Sequence, residues 1–125
     1  MRQLAVAAAL FGALLPTTAS AHPAVARSAR IAAVPTGHVY FWPKSGQMGG
    51  AWDYSPPGYK EATPPVKRSA VSFDSHASVT VYAISYENGG GCLYRAIHPD
   101  DYSENWEWAG KFDGVSNTTM GCEAG

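Results

Sequence analysis

The sequence lacks an apolar run long enough to cross a membrane. Its longest run, Leu4–Leu15, has about a dozen residues, whereas a spanning helix needs roughly 20. The run follows the positive charge at Met1-Arg2 and precedes the small residues Ala19-Ser20-Ala21, which is the three-part pattern of a secretory signal peptide. We therefore predict that residues 1–21 direct export and that the mature protein is secreted and extracellular.

Charge is scarce and evenly divided between the two signs. Charged residues make up 15% of the chain, with 9 Lys and Arg against 10 Asp and Glu. The basic residues are scattered, so the sequence contains neither a stripe that would follow a phosphate backbone nor a polybasic patch for a membrane surface. We expect no nucleic-acid partner and no membrane partner.

Cysteine is almost absent, since Cys92 and Cys122 are the two in the chain. An oxidising destination outside the cell favours a disulfide between them over two free thiols or half of a metal site. Below roughly 100 residues a domain buries a limited fraction of its surface, so one such bridge should be a large share of its stability.

Catalytic motifs are also missing. The four histidines are dispersed, and the chain has no His-Glu-x-x-His motif and no nucleophile elbow. Asp74-Ser75-His76 are neighbours in sequence, which is not the arrangement of a catalytic triad. We predict that the protein is not an enzyme.

Glycine, proline and aromatic residues are abundant from Gly37 onward, in short runs typical of β-strands and turns. Residues 22–36 have neither helical nor strand periodicity and are interpreted as a flexible leader, with a short pro-segment as the alternative. Ser78–Ile84 does not alternate strictly, which predicts a central, covered strand. The predicted strands are His38–Trp42, Ala51–Tyr54, Ser69–Phe73, Ser78–Ile84, Gly91–Arg95, Trp106–Ala109 and Val115–Met120.

The chain contains an internal repeat. Two strands, beginning at Val39 and Val81, run directly into glycine turns at Gly46–Gly50 and Gly89–Gly91. Each is followed by a short aromatic strand and a loop that contains proline. Such turns require glycine with φ above zero, so that a hairpin can fold over onto its own sheet.

At these residues the sequence resembles the Greek key of βγ-crystallins. It is similar, more specifically, to a family of secreted bacterial peptidase inhibitors built on that fold, of the metalloproteinase-inhibitor type. The resemblance covers roughly residues 37–122 and includes the segment Phe112–Thr118 and the placement of the two cysteines. It implies an all-β, βγ-crystallin-like sandwich of two Greek-key motifs, with the domain at 37–125 and the motifs at about 37–77 and 78–125.

The resemblance implies a secreted peptidase inhibitor that acts as a monomer, without a cofactor, on an extracellular metallo- or serine protease. Blocking a protease cleft requires an exposed, rigid loop, because a rigid loop loses little entropy on binding. The candidate loop lies within Ser55–Val66, where two Pro-Pro pairs restrict the backbone. Its inhibitory residues would be Thr63, Pro64, Pro65 and Val66. The alternative is an ordinary connection between the strands of a Greek key.

A second candidate contact is the acidic, aromatic segment His98–Trp108. Tyr102 and Trp106 could anchor a partner, or they could pack beneath the loop. A carbohydrate-binding module is a further interpretation, and it requires exposed, coplanar rings at Trp52, Tyr54, Trp106 and Trp108.

The resemblance also implies a weak calcium site at Asn88, Asp113 and Ser116, since hard cations take oxygen ligands. The matching stretch of the first motif, Pro65–Ser69, offers two cations and no carboxylate. The alternative function is therefore an extracellular structural or calcium-responsive βγ-crystallin-like binding module.

Overall fold

Nine short strands form within residues 34–125, the part of the chain that the computed structural model describes. The predicted signal peptide and most of the predicted leader lie outside these residues. The strands are β1 (Val39–Trp42), β2 (Trp52–Tyr54), β3 (Lys60–Glu61), β4 (Ser72–Ser75), β5 (Val81–Tyr86), β6 (Cys92–Ile97), β7 (Tyr102–Ser103), β8 (Gly114–Ser116) and β9 (Glu123–Ala124). A 3-10 helix spans Ala109–Lys111.

The strands form two sheets, ordered β2-β1-β4-β7 and β3-β8-β5-β6-β9. Neighbouring strands are antiparallel except for β6 and β9, which are parallel. Strand β3 comes from the first half of the chain but pairs with β8, and β7 comes from the second half but pairs with β4. Each half therefore completes the sheet of the other.

The hydrogen bonds preserve the predicted repeat. The N–H of Val71 donates to the carbonyl of Trp42, and the N–H of Asp113 donates to the carbonyl of Ile84, both over 2.9 Å. Val71 directly precedes β4 and Asp113 directly precedes β8, so the two residues hold equivalent positions. Both hairpin turns contain glycines with positive φ, such as Gly46 at 67° and Gly89 at 89°, as the sequence predicted.

Several sequence predictions of strands are confirmed. Strands β1 and β2 lie within their predicted ranges, and β5 lies in the centre of its sheet, with Val81 and Ile84 fully buried. The predicted strand Trp106–Ala109 is wrong, because these residues form a turn that leads into the 3-10 helix. Trp106 and Trp108 are buried while Glu107 is exposed, and this alternation imitates a strand. The two-residue strands β3, β7 and β9 were not predicted.

Aromatic rings fill the core between the sheets. Phe41 stacks on Phe112 with ring centroids 4.5 Å apart, and Trp52, Phe73 and Trp106 each lie within 6.0 Å of Phe41. This burial overturns the carbohydrate-binding interpretation, which required exposed rings. The four rings in question are at most 9% exposed: Trp52, Tyr54, Trp106 and Trp108.

The predicted disulfide is confirmed. Cys92 and Cys122 are bonded, 30 positions apart in sequence, with their Cα atoms 4.9 Å apart. The bridge links the first residue of β6 to the segment just before β9, which pairs alongside β6. It therefore fastens the C-terminal edge strand of the five-stranded sheet. Among residues 34–125, no helix is long and apolar enough to span a membrane.

Candidate functional site

The segment between β3 and β4 contains the predicted inhibitory loop, and it folds back on the body of the domain. The N–H groups of Val66 and Lys67 both donate to the carbonyl of Thr63, over 3.0 and 3.1 Å, which closes a turn. Val66 is completely buried, whereas Thr63, Pro64 and Pro65 are exposed. The peptide bonds Pro56–Pro57 and Pro64–Pro65 are cis. The structure thus forms a turn from Thr63 to Lys67 in which the first three residues are accessible.

The two predicted anchoring residues have different surroundings. Tyr102 is 44% exposed on β7, whereas Trp106 is 6% exposed and packs on Phe73 and Phe41 in the core. This burial removes Trp106 from the surface that a partner would contact. Tyr102 keeps the accessibility that its predicted role requires.

A buried carboxylate lies where the β3–β4 segment meets β8. The Asp113 side chain is 4% exposed, and both of its oxygens are bonded. Arg68 donates from Nε to Oδ1 over 2.8 Å and from Nη2 to Oδ2 over 2.6 Å. The backbone N–H of Tyr86 also donates to Oδ2, over 2.7 Å. Arg68 Nη2 donates in addition to the carbonyl of Tyr86, over 2.7 Å, and this closes a ring of three residues.

Further charged and polar side chains lie next to this ring. Lys67 Nζ lies 3.8 Å from Asp113 Oδ1 and also forms an ion pair with Glu61. Tyr59 donates from its hydroxyl to Glu61 Oε1 over 2.6 Å. The charged groups of the β3–β4 segment therefore converge on the start of β8.

The electrostatics favour the ionised forms of the central pair. Burial opposes ionisation of Asp113, but the hydrogen bonds from Arg68 and the Tyr86 N–H outweigh it, so the pKa of Asp113 is lowered. The hydrogen bond to Asp113 raises the pKa of Arg68. At the rim, the hydrogen bond from Lys67 lowers the pKa of Glu61. Burial, followed by the bond to Glu61, raises the pKa of Tyr59.

The local backbone positions Arg68 for this role. Its N–H donates to the carbonyl of Phe112 over 2.7 Å, so Arg68 is held next to Asp113 by main chain as well as side chain. Its φ is 56°, in the left-handed region that costs a residue with a Cβ roughly 1 kcal/mol. The charge-assisted bonds to Asp113 offset this strain.

Comparison with solved structures identifies the architecture. The chain matches the structure of a βγ-crystallin domain of Abundant Perithecial Protein from Neurospora crassa, in the Ca2+-bound form. The match covers 66% of this chain and 89% of that chain, with 19% sequence identity and a TM-score of 0.53. The fold is a βγ-crystallin fold. No family model and no curated protein sequence matches the chain, so the resemblance to the peptidase-inhibitor family depends on the sequence motifs described above.

Within this βγ-crystallin fold, the three residues predicted for calcium have separate surroundings. Asn88 is exposed on the turn between β5 and β6. Ser116 is buried on β8, where its hydroxyl accepts the N–H of Thr118 over 3.1 Å. Asp113 is bonded to Arg68. Among residues 34–125, no group of three or more His, Cys, Asp or Glu side chains could hold a metal ion. In this arrangement the carboxylate of Asp113 is occupied by Arg68, which is the cation that the structure places there.

Sequence reasoning missed Arg68. The cation pair Lys67-Arg68 was the available signal, but the structure makes Val71, and not the stretch Pro65–Ser69, the counterpart of Asp113 in the repeat. The partner of Arg68, Asp113, lies 45 positions further along the chain, and no local pattern connects the two.

Proposed function

We propose that this protein is an extracellular, non-catalytic βγ-crystallin-like module with a structural role that does not require calcium. One observation carries the proposal: the negative charge of the buried Asp113 carboxylate is neutralised by Arg68 of the same chain. A carboxylate that is already paired and hydrogen-bonded gains little from a metal ion, because the ion would first have to displace those bonds.

The placement of the loops supports a structural role. Val66 and Trp106 come from segments predicted to contact a partner, and both instead contribute to the core. Side chains that hold a sandwich together are costly to use for binding, because their exposure would remove them from the packed interior. The peptidase-inhibitor hypothesis stays a prediction, with Thr63, Pro64 and Pro65 as its accessible residues.

Export is part of the proposal. The signal-peptide pattern and the disulfide both suit an oxidising compartment. Expression of the full chain in a secreting host, followed by mass spectrometry of the medium, should find a protein that begins at His22 and has both cysteines oxidised. Retention of the whole chain inside the cell would contradict this part.

Calcium titration of the exported, oxidised protein tests the function. We expect no heat of binding and no change in Tm between chelator and millimolar calcium. A rise in Tm with calcium would replace the proposal with a calcium-responsive module. The same protein should not inhibit a thermolysin-like or a subtilisin-like protease at equimolar concentration, and stoichiometric inhibition of either would restore the inhibitor hypothesis.

A further inference from the structure

The ring formed by Arg68, Asp113 and Tyr86 has the form of a cation bound by oxygen atoms. Both carboxylate oxygens of Asp113 and the carbonyl oxygen of Tyr86 accept hydrogen bonds from one guanidinium, at 2.6 to 2.8 Å. The guanidinium is in addition close enough to Glu87 for that charge to act on it. One positive group thus neutralises a buried acid and joins three segments of chain.

The internal repeat shows that this ring occurs in one of two equivalent places. Val71 holds the position in the first half that Asp113 holds in the second, as their matching main-chain hydrogen bonds show. An apolar side chain at that place needs no counter-charge. The cation comes from the β3–β4 segment and the anion from the start of β8, so the ion pair joins the two halves.

We propose that the guanidinium of Arg68 substitutes for a metal ion, and that its removal converts the oxygens of Asp113 and Tyr86 into a divalent-cation site. Carboxylate and carbonyl oxygens are the ligands that calcium takes in proteins, and water fills the remaining positions. A buried carboxylate without a counter-charge destabilises the folded protein. Binding of a cation at the emptied site would remove this cost. This inference depends on the proposed function in that the native chain requires no calcium.

The backbone at position 68 determines which variant is informative. Its positive φ suits asparagine better than most other residues, and an asparagine side chain adds an oxygen. Lys67 lies 3.8 Å from Asp113 and is the cation that would fill the gap. The test variant is therefore K67Q/R68N in the full chain. K67Q alone is the matched control, since it keeps the guanidinium.

Thermal unfolding in chelator and in millimolar calcium measures the effect. In chelator, K67Q/R68N should melt roughly 5 to 15 °C below K67Q, because Asp113 is then buried without a counter-charge. Calcium should restore at least half of that difference and should give a saturable heat of binding. Calcium should not change the Tm of K67Q.

A double variant that melts lower in chelator and does not respond to calcium would overturn the inference. A double variant with the same Tm as K67Q, both in chelator and in calcium, would overturn it as well. If the double variant does not fold in chelator, folding in millimolar calcium supports the inference, and failure to fold there overturns it. A native protein that itself binds calcium would contradict the proposed function, while the difference in response between K67Q/R68N and K67Q would still decide the inference.

Discussion

The two halves of the sandwich share a strand arrangement and differ in the interactions that stabilise them. The first half places aromatic residues, among them Phe41, Trp52 and Phe73, on the inner face of its sheet. The second half has Val81 and Ala83 on the matching strand, and it adds the disulfide from Cys92. The rings of the first sheet pack on Trp106 and Phe112 of the second half, whereas the second sheet has in addition a disulfide and the ion pair of Asp113 with Arg68.

This difference shows that the Greek-key backbone accepts several kinds of side-chain support. At the equivalent positions Val71 and Asp113 the main-chain hydrogen bonds are the same, although one side chain is apolar and the other is ionised. The sheet geometry is fixed by the backbone pairing, and each half stabilises it with the residues it has. Each kind of support can therefore be removed separately.

The largest effect should come from the aromatic core of the first half. Replacing Phe41 with Ala removes the ring that contacts Trp52, Trp106 and Phe112, and we expect a loss of about 3 to 5 kcal/mol in the free energy of unfolding. Urea unfolding followed by tryptophan fluorescence measures this loss. The control is Val79→Ala, at an exposed position, which should change the free energy of unfolding by about 0.5 kcal/mol or less. A loss below about 1 kcal/mol for F41A would contradict the picture of a ring-packed first half.

Removal of the disulfide should have the next largest effect. In the chain-entropy model, a bridge between positions 30 apart stabilises a fold by about 3 to 4 kcal/mol. The double variant C92S/C122S should lose this amount, and the reduced native protein should match it. Hydrogen exchange should show that protection falls most at β9 and least in β1 and β4. An equal fall in protection in both sheets would show that the disulfide does not stabilise the five-stranded sheet separately.

The ionic support is next in size and depends on pH. Asp113→Asn should cost about 2 to 3 kcal/mol at pH 7, because Arg68 loses its anion. The folded pKa of Asp113 lies below its unfolded value, so its stabilisation is complete above about pH 4 and disappears as the pH falls through the folded pKa. The difference between native protein and D113N should therefore shrink in acid. A difference that is constant from pH 7 to pH 2 would contradict this account.

The β3–β4 turn should show the smallest effect. Val66 is buried, and truncation to Ala removes two carbons from the core, which should cost about 1.5 to 2 kcal/mol. Thr63→Ala, in the same turn but exposed, should leave the unfolding midpoint unchanged. If both substitutions left stability unchanged, the turn would not have the structural role assigned to it here.

Local patterns predicted the β-rich architecture, the repeat and the disulfide. Glycine turns, short runs of β-branched residues and the two cysteines are each recognisable within a few positions. Strands β3 and β7 have two residues each and pair with the opposite half of the chain, so nothing nearby in sequence marks them. The ion pair of Arg68 with Asp113 is equally non-local, so the sequence predicts a calcium ligand at Asp113 where the structure has an ion pair.

The exchange of β3 and β7 between the sheets has a consequence for any half-length version of this chain. A fragment with a single motif would have one sheet short of a strand and one strand without a sheet. The open edge could be closed by a second copy of the same fragment, in a two-fold symmetric dimer in which each subunit lends its third strand. The pseudo-symmetry of the full chain is thus that of a dimer whose two subunits are joined by one covalent connection.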